Sequence, residues 1–504
     1  MTKLRPDDLR DLDRARLKTL SHDELLETCV QVRALAIEQA ERLNRHSGNS
    51  SKPSSSNDPY RRGAKTPKED GGSGGDSDGA GAGSRSGQSS PRSSPSSRPP
   101  GRQKGAPGHW RRAPLVAERT VDHRPDRCAL CGQELPVVLL GRCVEAHYVM
   151  DLERGKAGIG VTCRQHRFFA VRCGCGHETV MRPGTGRTSV IEGRCRNLTL
   201  TERALVGPAL ATFIGACSVR YRMSREMIQE FLGDWLDIAL SKGTICRCTR
   251  EVGFACEPVA ETLLAEIRSA EIVHLDETPW YQKGTLRWLW VASSAMATVF
   301  HIGSREKTEL LDLIGESFLG WLVTDGYGAY RSHRQRQRCL AHLIRKAVAL
   351  QEGIHYDASR FGDWLCRELR ALIRGVADNA DAGTLGLIVA RLKRACLLNR
   401  DADVDKARAL AREILNDWDA VIAFVKTPNL PATNNDAERA LRHAVISRRI
   451  SFGTRTDEGS RGYAAALSVI ETCRKRNARP WDFITRLIKA ARRADELPAM
   501  PACA

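Results

Sequence analysis

The chain has 504 residues and a formal net charge of +18, with 17 cysteines. That length calls for several structural units, and the charge points to a polyanionic partner, nucleic acid foremost. No run of about 18 apolar residues occurs, which argues against a membrane span, and the N-terminus lacks the apolar stretch of a signal peptide, so a cytoplasmic, nucleoid-associated location is expected.

Residues 1–46 are charge-rich and free of Gly and Pro after Pro6 up to residue 45, with Leu25, Val32, Leu35 and Leu43 on a loose helical stripe broken by Gln39. A single amphipathic helix or a short coiled coil fits this pattern. Residues 47–108 are dominated by Ser, Gly, Pro and Arg and are expected to be a disordered linker, with Arg98, Arg102 and Lys104 unopposed by acids.

Residues 109–185 hold the cysteine cluster and are expected to form a small zinc-binding module. Cys128-Ala-Leu-Cys131-Gly has the form of a zinc knuckle, and Cys173-Gly-Cys175-Gly-His177 supplies a second pair. Four thiolates suit tetrahedral zinc. The second pair is tighter than the usual Cys-x-x-Cys, which leaves Cys163 or His177 as alternatives for one ligand. The odd and mostly scattered cysteines otherwise read as free thiols.

Residues 195–268 turn helical, with apolar-periodic segments over 204–217 and 224–232 and a turn at 240–243 before a helix starting near Thr244. Ser241 or Thr244 can cap that helix. Helix, short turn, helix with Arg247 and Arg250 on the exposed start matches a helix-turn-helix DNA reader, the alternative being plain helical packing.

Residues 269–344 read as strands at 272–275, 286–291 and 298–302, a helix over 305–318, and a short apolar strand at 321–323. This is the element order of a ribonuclease H-like core. Asp276 ends the first strand and Asp325 follows the fourth, while Glu438 opens a basic helical stretch. Three such carboxylates brought together make a site for two magnesium or manganese ions, which promote in-line displacement at phosphorus. Each acid also has a plainer reading: Asp276 capping a turn at Glu277-Thr278-Pro279, Asp325 opening an Asp-Gly turn, and Glu438 closing a capping box on Asn435. Glu277 is expected to face away from Asp276, and Asp436 away from Glu438.

Helical patterns fill 345–350, 361–376, 385–398 and 404–425, within a segment taken as 345–430. Cys339-x-x-His342 lacks a second pair nearby in sequence, so packing, with Arg345 facing DNA, is the preferred reading. Residues 431–504 are basic, and Arg439, Arg442, Arg448 and Arg449 beside the proposed metal ions are expected to meet phosphates.

The combination of Asp276-Glu-Thr-Pro279, Trp288-Leu-Trp290, Thr324-Asp-Gly-Tyr327, Cys339-Leu-Ala-His342-Leu-Ile-Arg345 and Asn434-Asn-Asp-Ala-Glu-Arg-Ala-Leu-Arg442 resembles the DDE transposases of the bacterial insertion-sequence sixty-six family. Asn49-Ser-Ser-Lys-Pro53 and the cysteine pairs are similar to that family's leader and zinc region. The resemblance implies an α/β multidomain enzyme with an all-helical insertion before the catalytic helix. It implies a metal triad of Asp276, Asp325 and Glu438, and structural zinc at Cys128, Cys131, Cys173 and Cys175. Such an enzyme nicks element ends and transfers the 3′-hydroxyl into target DNA, as a dimer or higher assembly and beside possible small accessory proteins. A DNA-binding regulator without catalysis, and a nuclease that cuts without joining, are the competing readings.

Overall fold

The computed structural model describes residues 17, 19–43, 115–138, 141–156, 158–182, 189–191, 194–196 and 204–502. The expected linker 47–108 and residues 1–16 and 44–46 of the leading segment lie outside the described residues. Helix α1 (His22–Leu43) bears out a helical leading segment. It opens with a capping box, Glu24 reaching back to the Ser21 amide at 2.9 Å and the Ser21 hydroxyl at 2.8 Å.

Strands β1 (Arg119–His123), β2 (Gly141–Gly155), β3 (Gly158–Arg172) and β4 (Glu178–Val180) form a mixed sheet around a long β2–β3 hairpin. A small pair follows, β5 (Ser189–Ile191) with β6 (Arg194–Arg196).

Three helices follow: α2 (Pro208–Val219), α3 (Arg225–Leu236) and α4 (Lys242–Arg268). Ser224 and Ser241 cap the last two, each accepting an amide three residues on. Helix α4 runs on for 27 residues rather than stopping as a short recognition helix. It passes so close to a later helix that a Cβ on Gly253 would lie 2.6 Å from Gly462 Cα.

The central sheet has the order β11-β10-β7-β8-β9. Strands β7 (Ile272–Gln282), β8 (Thr285–Ser293) and β9 (Thr298–Gly303) form an antiparallel meander, and β10 (Trp321–Thr324) and β11 (Arg336–Arg338) add parallel strands beyond β7. Two expectations are corrected here. The first strand does not end at Leu275: it continues through Asp276, so no turn at Glu277-Thr278-Pro279 exists for Asp276 to cap. Pro279 is tolerated because it lies beyond Ile272–His274, the part of β7 paired with β10. The strand instead turns at Lys283-Gly284, both at positive φ, the signature of a tight hairpin. The helix expected over 305–318 is confined to α5 (Lys307–Ile314).

Alternation along β7 gives the sheet two faces. Val273 and Leu275 enter a core with Leu263 and Ile267 of α4, Trp290 and Ala292 of β8, and Leu310 and Leu313 of α5. The other face carries His274, Asp276 and Thr278 and is crossed by α11, described below.

Between β11 and that crossing lie α6 (Leu340–Gln351), α7 (Tyr356–Ala377), α8 (Ala382–Leu398), α9 (Asp405–Asn416) and α10 (Trp418–Lys426). They share one hydrophobic core built on residues such as Leu343, Leu365, Leu369, Leu392 and Leu410. The single helix expected over 404–425 is broken at Asp417, whose carboxylate grips Arg336 of β11 at 2.6 and 2.9 Å.

Helices α11 (Asn435–Ser451), α12 (Asp457–Lys475) and α13 (Pro480–Arg493) complete the described chain. Ser468 and Thr472 of α12 accept the amides of Phe300 and Thr298, so the outer edge of β9 is satisfied rather than exposed. Among the described residues no helix is long and apolar enough to cross a membrane.

Candidate active site and metal centre

The register between β7 and β10 sets Val323 beside His274. Two residues on from that pair, Asp276 lies within β7 and Asp325 just past the end of β10, which brings them to one level at the end of adjacent parallel strands. Asp276 is partly buried. Burial, then the neighbouring charges of Glu277, Asp325 and Glu438, push its carboxyl well above the usual 3.8. Its Oδ1 accepts the Glu277 amide at 2.9 Å. Asp325 Oδ1 accepts the Tyr327 amide at 2.8 Å, so its carboxylate does shape the Asp-Gly-Tyr turn. That turn rests on Arg338, whose guanidinium fills the space a Cβ on Gly326 would need.

Glu438 arrives on α11, and the capping-box reading of it is overturned. The cap of α11 is Asn434, one residue earlier, and its side chain makes no cap bond. Instead Asn434 Nδ2 donates to the Leu275 carbonyl at 2.7 Å, and Oδ1 meets His274 Nδ1 at 3.1 Å. Glu438 Oε1 lies 3.1 Å from Arg345 Nη2 and 3.5 Å from His342 Nδ1. Arg345, expected to face DNA, is therefore turned inward onto Glu438. Burial, followed by Arg345, Arg338 and Lys346, pushes the His342 imidazole down to about 3, so the ring is neutral. The carboxylate oxygens of Asp276, Asp325 and Glu438 do not all lie within 4.8 Å of one another.

The rival acids face elsewhere, as expected from strand and helix geometry. Glu277 is on the opposite face of β7, held by Arg305 at 2.8 Å and by the Tyr330 hydroxyl at 2.5 Å. Arg305 is itself sandwiched between Trp288 and Tyr327, 4.0 and 4.2 Å from their ring centres. Asp436 bonds Ser293 at 2.7 Å and Lys475 at 2.9 Å. Burial pushes its carboxyl up, but Lys475 and Ser293 outweigh that and hold it low.

Among the arginines expected to meet DNA, Arg247, Arg439, Arg442 and Arg449 are exposed. Arg250 is paired with Glu458 at 2.5 Å. Arg448 is turned onto β7, donating to Thr278 Oγ1 at 3.0 Å and to the Pro279 carbonyl. It serves as a tie between α11 and the sheet.

In the first sheet, Cys128, Cys131, Cys173 and Cys175 converge, with all four Sγ atoms within 4.8 Å of one another. Cys128 and Cys175 are 3.6 Å apart, as are Cys131 and Cys173. Metal–sulfur bonds of about 2.3 Å in a tetrahedron give sulfur separations close to these. Each pair closes on a turn with a glycine at positive φ, Gly132 and Gly176. The Cys131 amide, and then that of Leu130, pull the Cys128 thiol down to about 6 against the effect of burial. Cys163 lies on β3 paired with Met150, and neither it nor His177 joins the group. Sequence reasoning gave no role to Asn434 or Arg338, with only the Asn-Asn pair before the helix hinting at the first, and it assigned His342 to packing, whereas the ring stands beside Glu438.

A family model described as "Transposase IS66 family" matches residues 203–462. The chain is also similar to two uncharacterized proteins of Sinorhizobium fredii. It is 26% identical to y4jD over 304 residues, covering 52% of this chain and 59% of that protein. It is 25% identical to y4qI over 327 residues, covering 57% of this chain and 59% of that protein. The matches therefore span somewhat under two thirds of either relative.

Proposed function

Because this chain belongs to the transposase IS66 family, we propose that it binds the ends of an insertion element, nicks them and joins the freed 3′-hydroxyls to target DNA. The observation that carries this reading is Asp276, a partly buried acid on the sheet face under α11 whose carboxyl is held up by desolvation and by the charges of Glu277, Asp325 and Glu438. Glu277 and Glu438 have arginine partners, but among the described residues Asp276 accepts only the Glu277 amide, and an acid so placed among other acids is a poor structural device and a good cation site. The sheet order, an antiparallel meander flanked by two parallel strands, supports a ribonuclease H-like core for this chemistry.

Asp276, Asp325 and Glu438 are the residues that would hold two magnesium ions. When bound, such ions activate the attacking oxygen and stabilise the leaving one. Asn434 fixes the start of α11 against Leu275, which sets where Glu438 enters. Tyr327 and Arg338 hold the turn that carries Asp325. Zinc at Cys128, Cys131, Cys173 and Cys175 would tie the two knuckles into one module. Helices α2 to α4 offer a helix-turn-helix surface through Arg247, and Arg439, Arg442 and Arg449 offer phosphate contacts on α11. Joining two element ends calls for at least two subunits.

Purified protein incubated with labelled element ends, magnesium and a target plasmid tests this reading. Strand joining supports it. Cutting without joining replaces it with a nuclease, and shifted but uncut DNA replaces it with a regulator.

A further inference from the structure

The proposed reaction leaves Cys339 and His342 without a role, yet the fold brings both onto Glu438. One ligand atom each from Cys339, His342 and Glu438 lie within 4.8 Å of one another. His342 Nδ1 is buried without a hydrogen-bond partner and points toward the carboxylate, 3.5 Å from Oε1. Cys339 is completely buried at the head of α6, and its Sγ accepts the Asn434 amide at 3.2 Å. Burial pushes the Cys339 thiol up and outweighs that amide, so a bound ion would itself have to displace the thiol proton.

A thiolate, an imidazole and a carboxylate make a donor set for a borderline ion of the zinc class, which binds such atoms at about 2.0–2.3 Å. Magnesium, a hard ion, takes oxygen ligands and has little use for sulfur. We propose that Cys339, His342 and Glu438 form a site for a zinc-class divalent ion, and that its occupancy withdraws Glu438 from Asp276 and Asp325. The inhibitory half of this proposal rests on the reading of Glu438 as a catalytic carboxylate. The binding half does not.

The surrounding charge sets the character of the site. Arg345 shares Glu438 Oε1, and Arg338 and Lys346 also act on His342. A dication is accommodated there only with the thiolate and carboxylate both ionised, and it replaces Arg345 as the counter-charge of Glu438. The three basic neighbours and the smaller donor set make it weaker than the four-thiol centre, which would keep its own ion.

The test uses full-length protein loaded with zinc, with metal content and inhibition measured on the same samples. Wild type is expected to hold about two zinc ions per chain, and Cys339→Ser and His342→Gln about one. Cobalt in place of zinc gives a thiolate charge-transfer band from both centres, and the variants lose only part of it. Circular dichroism identifies any variant that fails to fold, and the less buried His342 keeps the test open should Cys339→Ser not fold. Zinc is expected to inhibit magnesium-supported strand cleavage, with an inhibition constant raised about tenfold or more in His342→Gln. Equal zinc content in wild type and both folded variants overturns the site. One zinc lost in the variants, with no zinc inhibition of wild type, keeps the site and removes Glu438 from the catalytic triad.

Discussion

Asn434 donates its side-chain amide to the main-chain carbonyl of Leu275 at 2.7 Å, bonding the residue that starts α11 to the residue just before Asp276. The acid contributed by the helix is thereby referenced to the acid contributed by the strand. Asn434 is fully buried and also meets His274. Replacing it with alanine leaves the Leu275 carbonyl and the His274 ring short of a partner, at a cost of about 1–3 kcal/mol. The expected result for Asn434→Ala is that loss in urea unfolding, with strand cleavage down about tenfold or more. The exposed neighbour Asn435→Ala should stay within about 0.5 kcal/mol of wild type. Equal behaviour of the two variants would remove the anchoring role.

The triad makes a sharper demand on activity. Asp276→Asn, Asp325→Asn and Glu438→Gln are each expected to lower strand transfer by about a thousandfold or more while end binding in gel shifts stays within a few-fold. Retained joining by any purified variant would strip that residue of its assignment as a metal ligand.

For the cysteine centre, the double variant Cys128→Ser, Cys131→Ser should lose about one zinc per chain. The sheet of β1 to β4 should then become more sensitive to proteolysis, because a bound ion would tie the knuckles at Gly132 and Gly176 to each other. A wild-type protein that is fully folded and free of zinc would sink this assignment.

The sequence made some of this legible and hid the rest for identifiable reasons. Asp276 and Asp325 stood out because each follows an apolar run, and the thiols because of their spacing. The continuation of β7 past Asp276 was hidden by Pro279, a residue that usually ends strands. Strand β11 was hidden because Arg336-Gln337-Arg338 has no apolar pattern. Its burial depends on Asp417 and Glu413, about 80 residues further on. The inward turn of Arg345 depends on Glu438, 93 residues away. Local pattern carries periodicity, and it carries no information on which distant charge will neutralise a given arginine.

Gly326 offers a test of the turn that carries Asp325. A Cβ there would run into the Arg338 guanidinium, which is only 2% exposed and is paired with Glu413 and Asp417. The guanidinium cannot move aside without breaking those pairs. Gly326→Ala is expected to cost about 1–3 kcal/mol of stability and most of the cleavage activity. Gly328 lies two residues on, with nothing within 4 Å of its Cβ position. Gly328→Ala should stay within about 0.5 kcal/mol. Thermal unfolding of the two variants side by side decides whether the Arg338 contact is what matters.

The raised carboxyl of Asp276 gives a prediction with a sign. Its folded value lies above the ordinary 3.8, so between the two values the folded chain holds a proton that the unfolded chain has released. Stability then falls as pH rises through that window, and the contribution is complete only below it. Asp276→Asn removes both the titration and the repulsion from Glu277, Asp325 and Glu438. In the absence of divalent ions the variant should therefore melt higher than wild type at pH 7–8, with the gap closing as pH falls toward 4. Magnesium should reverse the order by stabilising wild type through binding and leaving the variant nearly unchanged. Thermal scans across pH, with and without magnesium, read this directly. Identical pH profiles for the two proteins would mean that Asp276 is not crowded by the other acids, and the argument for a cation site at that acid would fail with it.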